Sequence, residues 1–488
     1  MIKISDSFKT NDKKLAALYN GARRVIEDAV EEFGDYRLIT QGAGSRRVSL
    51  ATELMSAETL ARYDTAAAMN CVRAFCFTQR SDGQLAAEII KNGEDIVCDY
   101  SGLAGFSFID EALSLYYMTK KKEKAYLDEL YAALTRFDEF IEQTHDYNKN
   151  GLPEILSEKE SAERCLSVRY APIKISEDGK SREISVFPVE TCLMAAFYYR
   201  LKIALGEMSS MVGDERHGIY FEEAEMIKAR MKNFFFVPDV GACFDRDYRG
   251  SLMSALTIDN LFMMYCGALD RGISDAFVKR HLMNCQEFFT KFPLPTYAAN
   301  SPEFSNDPKY RFGGRSRGDS MRRAVKAMEK YGYFREFTHL AGAFIDSLAE
   351  SPVFREHYDP FTGEASSGGD YAPTASAVLE IIARFYGVSV IFDEVHWGAL
   401  GLEDESVSEY NLKWGGDMYT LAAEKDTSMG LINGSPIFTI TNGARVITDW
   451  FGDSPKVVNV TDETHDCVFV YRNQTFSFTI SPGEIKEF

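Results

Sequence analysis

The sequence is poor in tryptophan and histidine and has no paired cysteines. Its only three Trp are Trp397, Trp414 and Trp450, so no indole precedes residue 397. Any ligand ring bound by the first 396 residues must therefore stack on Tyr or Phe. The seven His are scattered, with no HxxxH or HExxH pair, which argues against a dedicated zinc site. The nine Cys are odd in number and include no CxxC. Most, such as Cys71, Cys192 and Cys266, sit in apolar runs and read as reduced core residues of a cytoplasmic protein. No apolar run reaches the roughly 18–20 residues that span a bilayer. The opening "MIKISDSFKTNDKKLAAL" has no apolar stretch followed by a small-residue cleavage site, so neither a signal peptide nor a membrane is expected. Positive charge is also short. Lys and Arg total 54 against 73 Asp and Glu, a net charge of −19. Such a surface repels phosphate backbones, which sets nucleic acid aside as a partner.

What is present is helical periodicity up to about residue 388. "KKLAALYNGARRVIEDAVEEF" puts Leu15, Leu18, Ala22, Val25, Ile26 and Val30 on one stripe. Similar stripes near 60–79, 103–119, 123–144, 186–205, 219–236, 257–270, 274–288, 319–331, 334–349 and 373–386 predict about eleven helices in all. No repeat of fixed length accompanies them, so a solenoid is not indicated. From about 389 the texture changes. "SPIFTITNGARVITDWF", "KVVNVTD", "CVFVYRN" and "QTFSFTISPGEIKEF" alternate apolar and polar residues between Asn-Gly and Pro-Gly turns, which predicts short strands and hairpins. The expected division is a helical domain over 1–388 and a small antiparallel, sandwich-like β-domain over 389–488. Three non-helical stretches, about 145–185, 288–318 and 351–372, are long for a compact domain and rich in aromatic and charged residues. They are expected to be ordered, functional loops.

Several stretches could carry chemistry. "DYNKNGLPE" places Asp146, Asn148, Asn150 and Gly151 at the first, third, fifth and sixth positions of a calcium loop, but the twelfth is Ser157 instead of a bidentate Glu. The expected reading is a turn whose Asp and Asn bond their own backbone, with calcium near Asp146 as the lesser alternative and no other cofactor. Glu356 opens the irregular path "FREHYDPFTGEASSGGDYAPTAS" between two helices. A carboxylate among aromatics there could be a general base, although a surface Glu paired with Arg355 is the commoner case on local sequence alone. Tyr358, Asp370 and Tyr371, in the same path, are candidate ligand contacts. Asp64 in "RYDT" and Glu190 in "FPVET" are candidate pocket groups, and both are equally explained as charge partners of helix N-termini. Arg311, Arg315, Arg317, Arg322 and Arg323 cluster in one segment. The expected reading is a solvated basic face. The sharper one is an anionic ligand gripped by a bidentate Arg, with Arg315 as the candidate.

The motif Phe354-x-Glu356-x-Tyr358-x-Pro360-x-Thr362-Gly363 resembles the late motif of glycoside hydrolase family 63 and its mannosylglycerate-hydrolase-like relatives. Four further stretches follow the same family in order: "RYDTAAAMNCVRAFCFTQRSDGQLAAEI", "HDYNKNGLPE", "FFFVPDVGACFDRDYRG", and "PLPTYAANSPEF" with its continuation "YRFGGRSRGDSMRRAVKAMEKYGY". The match spans about 60–388. The resemblance implies an (α/α)6 barrel and an inverting glycosidase, in which one carboxylic acid protonates the leaving oxygen and a second carboxylate activates water. It implies Glu356 as the base. The acid should be an Asp in "E-S-G-W-D-x-S-x-R-Y", and here the chain departs. In "KESAERCLSVRY" that position holds Arg164 or Cys165, depending on the end from which it is aligned, and neither suits the role. Glu163, one residue away and one methylene longer, is the provisional acid. A donor from elsewhere and no donor at all stay open. The expected function is a cytoplasmic, exo-acting, inverting glycosidase on a small carbohydrate. The rivals are a barrel that kept sugar binding and lost its donor, and an epimerase-like toroid, against which the unpaired histidines count. Oligomeric state is not legible.

Overall fold

The helices are of two kinds, sorted by which faces carry apolar side chains. In the computed structural model, residues 2–93, 95–103, 105–156, 160, 173–175, 184–309, 313–402 and 406–488 are described. They hold α1 (Lys13–Asp28), α2 (Ala57–Leu60), α3 (Thr65–Phe77), α4 (Ile109–Met118), α5 (Lys124–Thr144), α6 (Cys192–Val212), α7 (His217–Phe235), α8 (Asp259–Tyr265), α9 (Arg271–Phe277), α10 (Ser320–Lys330), α11 (Phe334–Glu350) and α12 (Ala372–Tyr386). Each predicted helix is present. The single turn α2 is the addition, and α6 starts at Cys192 instead of 186 because short strands precede it.

Helices α4, α8 and α12 are buried on nearly every face, as their almost unbroken apolar runs require. Helices α1, α5, α7 and α11 bury one stripe and leave the other face wet. The even-numbered helices form a ring of neighbours, α2 to α4, α6, α8, α10, α12 and back to α2, with the odd-numbered α1, α3, α5, α7 and α11 packed against them. Helix α1 lies on α12, and its Leu18, Ala22 and Ile26 are fully buried; truncating a buried Leu or Ile to Ala costs about 2–5 kcal/mol.

The C-terminal region consists of antiparallel strands in two sheets of seven and five. Trp397 of the smaller sheet meets Tyr419 and Phe438 of the larger at ring-centroid distances of 5.9 and 5.5 Å, so the sheets face each other across an aromatic core. One strand of the larger sheet comes from the other end of the chain. Ile4–Thr10 pairs along its length with Ser408–Trp414. Its alternation "ISDSFKT" is a strand signal that the helical reading of the N-terminus passed over.

This β-region sits on the C-terminal ends of the ring helices. The Trp414 indole donates to the Met118 carbonyl at the end of α4. Arg445 ion-pairs with Glu329, near the end of α10.

Candidate active site

Two of the three expected loops are drawn together by a short strand pair, Ser316–Arg317 with His357–Tyr358. The Gly318 amide then donates to the Glu356 carbonyl (3.2 Å). Gly318 must be glycine, since a Cβ there would lie 1.9 Å from Thr374 Oγ1. That hydroxyl in turn donates to the Arg355 carbonyl (2.7 Å). Both residues beside Glu356 in space are thus tied to the start of α12. The Tyr371 amide donates to the Phe354 carbonyl (2.8 Å), and the Ala372 amide to Gln41 (2.7 Å), which brings in the loop at 41–45. These segments enclose a cavity of about 730 Å³, lined by 41–45, Pro308, 355–357 and 366–371. It lies at the N-terminal ends of α10 and α12, where the helix dipoles favour negative charge.

Glu356 lies in this cavity with its side chain 21% exposed. Its neighbour is Arg317, whose Nη1 is 3.5 Å from Oε1. Arg355 pairs instead with Asp370. The expected pairing of Glu356 with Arg355 is therefore replaced by one with Arg317. Arg317 is almost wholly buried and bidentate to Asp319, Nε to Oδ1 at 2.9 Å and Nη2 to Oδ2 at 2.7 Å. It also reaches the Tyr371 hydroxyl at 3.4 Å. A guanidinium fixed by one carboxylate and turned to a second is a rigid positive wall beside Glu356. His357 completes that side, 3.5 Å from Glu356, and burial holds its pKa below the usual value, so its ring is mostly neutral at pH 7. Among the described lining residues it is the only histidine.

Of the candidates named from the sequence, the structure brings together Glu356, Asp370 and Tyr371. Tyr358 stands aside: its ring stacks on Phe292 at 3.9 Å, and its hydroxyl donates to the Val353 carbonyl (2.6 Å) and accepts from the Arg355 amide (2.7 Å). Asp64 caps α3 through the Ala67 amide (2.9 Å) and pairs with Arg37. Glu190 accepts from the side chains of Asn148 and Asn150. Arg315 bridges two loops by donating to the carbonyls of Asn306 (3.4 Å) and Glu364 (3.2 Å). Glu163, Arg164 and Cys165 lie outside the described residues, as does Arg311.

The arginine cluster corrects the expectation of a solvated face. Arg315, Arg317, Arg322 and Arg323 are all buried. Arg322 meets Glu58, and Arg323 lies over the Phe262 ring at 4.6 Å. Arg317 is drawn inward by Asp319 and Arg322 by Glu58, and a partner 264 positions away, as Glu58 is from Arg322, does not show in sequence spacing. Near residue 150 the turn forms as expected: Asp146, Asn148 and Asn150 accept from the amides of Gly151, Asn150 and Leu152, and Gly151 takes φ 78°. One acidic trio, Asp138, Glu142 and Glu223, has metal-like spacing, and the Lys202 ammonium stands 2.8 Å from each, where a cation would go.

The mannosylglycerate hydrolase MGH1-like glycoside hydrolase domain matches residues 55–374, about two thirds of the chain. The chain belongs to this family. It is therefore a glycosidase by class. Among solved structures it is similar to the GH63 mannosylglycerate hydrolase of Thermus thermophilus, solved with glucose, at 15% identity and TM-score 0.61, over 75% of this chain and 99% of that one. A sialidase aligns at 14% identity and TM-score 0.66, over 91% of this chain and 41% of its own. A GH78 rhamnosidase of Bacillus sp. GL1 aligns at 10% identity and TM-score 0.57, over 87% and 40%. At such identities these likenesses speak for the fold. The last two cover too much of this MGH1-like chain to stop at the helices, so their folds extend into its β-region.

Proposed function

We propose that this MGH1-like protein is an inverting, exo-acting glycosidase on a small glycoside, with Glu356 as general base and Glu163 as provisional acid. Its ring of helices closes an (α/α)6 barrel within 1–388, and the β-domain of 389–488, joined by the strand Ile4–Thr10, supports the end away from the site. The observation that carries this reading is Glu356 itself: a carboxylate in a cavity where two long loops meet, held beside the fixed cation of Arg317. From there it can take a proton from a water attacking the anomeric carbon, while an acid about 6.5–9.5 Å away protonates the leaving oxygen. Asp370 and Tyr371 are proposed sugar contacts in the same cavity. The free, mostly buried cysteines suit the proposed cytoplasmic location, and among the described residues no helix is long and apolar enough to cross a membrane.

The test is hydrolysis of a panel of α- and β-linked disaccharides and uronate glycosides, with the anomer of the first product read by NMR. The wild type should turn over one member with inversion, and Glu356→Gln should lower kcat/KM by about 10²–10⁴-fold. Undiminished turnover in that variant removes Glu356 from the chemistry. Sugar binding by calorimetry without turnover on any member makes the protein a barrel that lost its donor.

A further inference from the structure

Glu356 has an arginine on each side of it, and an aspartate holds each one. Arg355, its neighbour in sequence, pairs with Asp370. Arg317, its neighbour in space, gives the fork of Nε and Nη2 to Asp319 at 2.9 and 2.7 Å and turns Nη1 to Glu356 at 3.5 Å. Local sequence does not require this of Asp319. It stands at the N-cap of α10, yet its side chain makes none of the bonds to helix amides that an Asp there ordinarily makes. It is fully buried, and the cation it meets is Arg317. The carboxylate that suits the helix serves the arginine instead. Between the two, the Gly318 amide donates to the Glu356 carbonyl (3.2 Å), so the same turn fixes the Glu356 backbone. The other titratable groups at this corner are three. His357, on the paired strand, is 3.5 Å from Glu356 and mostly neutral at pH 7. The Tyr371 hydroxyl, beside the start of α12, is 3.4 Å from Arg317, and burial keeps its proton on. Glu53, in the 3-10 turn Glu53–Ser56 before α2, is a carboxyl that burial first, and then the Glu356 charge, push up to about 7.

We propose that Asp319 is a positioning residue for the general base: by occupying the fork of Arg317, it keeps that arginine from closing on Glu356 as a bidentate partner. This rests on the glycosidase reading above, with Glu356 as base. A bidentate Arg would engage both carboxylate oxygens and stabilise the anion so far that it accepts a proton poorly. With no cation beside it, a carboxylate partly shielded from water would take up a proton before the nucleophile arrives. The single-point approach at 3.5 Å lies between these extremes. Glu356 stays charged and keeps acceptor capacity for the proton of the attacking water. Asp319 touches neither water nor sugar in this scheme; it acts through Arg317.

The experiment measures kcat/KM against pH on the glycoside that the panel identifies and reads the acid limb, below which the base is protonated and idle. Asp319→Asn keeps the shape, leaves Arg317 with Glu356 as counter-ion, and removes the carboxylate that restrains it. An anion is lost and a cation comes closer, and both favour the Glu356 anion. The limb should therefore move down by about one pH unit, and the plateau should fall by about 10–10²-fold. Arg317→Gln should move the limb up by a similar amount, because the cation goes and Asp319 stays. His357 also titrates below neutral pH, so the comparison is repeated in a His357→Gln background; the same downward step there belongs to Glu356. A purely structural tie between the strand and α10 would lower stability, and activity at every pH alike, without moving the limb. An unmoved limb, or an upward step, in Asp319→Asn overturns the role of Asp319, while loss of turnover in Glu356→Gln keeps the base reading intact. Melting curves establish that each variant folds, and if Arg317→Gln does not, the Asp319→Asn limb decides alone. Full turnover by Glu356→Gln, or no turnover of any glycoside by the wild type, removes the base and its positioning residue together.

Discussion

Glu53 and Glu58 are five residues apart in one buried segment, and the protein treats them in opposite ways. Glu58 faces the interior of the ring, where Lys326 stands 2.8 Å away, Arg322 bonds the same oxygen, and the Ser114 hydroxyl donates at 2.7 Å. These cations outweigh the burial penalty and hold it far below the usual carboxylate range. Glu53 is just as buried but meets only an amide, a hydroxyl and the repulsion of Glu356, and it moves the other way. Burial alone therefore does not set the state of these two carboxyls; the balance of the charges that face each of them does. Among the described residues the interior of the helix ring holds several such cations, Arg322, Lys326 and Arg384 among them, and none of them pairs with Glu53.

The sharpest way to break the comparison is to remove the cation from Glu58. Arg322→Met leaves Glu58 and Glu380 with less compensation in the dry interior, while Lys326 and Arg384 remain. Breaking a buried pair costs about 3–5 kcal/mol, and the lower end is expected here, read as a fall in urea midpoint. Adding Glu58→Gln should restore part of the loss. A fully additive double variant would mean that the two side chains do not depend on each other.

These pairs are also where sequence reading stopped. The helices were legible because 3.6-residue periodicity is local, and the strands because alternation is local. Glu356 was legible from its place in a motif-bearing loop. Arg322 was not legible as a buried residue, because its carboxylate lies 264 positions earlier in the chain. Tyr358 looked like a ligand contact until Phe292 was found stacked on it. The one local hint of Glu53 was a lone acid in the apolar run "LATELMSA". Such a residue usually finds a cation on folding, and here it did not.

A gentler break tests the charge state of Glu53 directly through stability. A carboxyl whose pKa rises from 4.5 to about 7 on folding binds more protons in the native state across that window. Wild-type stability therefore carries a cost that is absent below about pH 4.5 and grows to about 3 kcal/mol by pH 7. Glu53→Gln removes the titration, so its stability relative to wild type should climb by that amount between those pH values and level off above. Glu58→Gln should show the reverse sign. Glu58 is depressed, so its stabilisation is present above the ordinary carboxylate range and lost as acid protonates it. Parallel pH curves for the two variants would place both carboxyls in the same state.

The smallest effect belongs to the seam between the helices and the β-region, where two of the arginine pairs that cross it differ in exposure. Arg445 and Glu329 are buried there, with side chains 2% and 8% exposed, and Arg384 shares the carboxylate. Arg335 and Asp462 pair at the rim with 45% and 43% exposure. In the rim pair, water screens the attraction and two mobile side chains lose entropy, so such pairs contribute about 0–1 kcal/mol. Asp462 also keeps His339 at 2.7 Å when the arginine is removed. Arg335→Ala should therefore shift the melting temperature by no more than a degree or two, and raising the salt concentration should erase the difference. A loss that persists in high salt would mean that the rim pair holds the β-region in place despite its exposure, and that the contrast between the dry Arg445–Glu329 pair and the wet Arg335–Asp462 pair has no energetic counterpart at this seam.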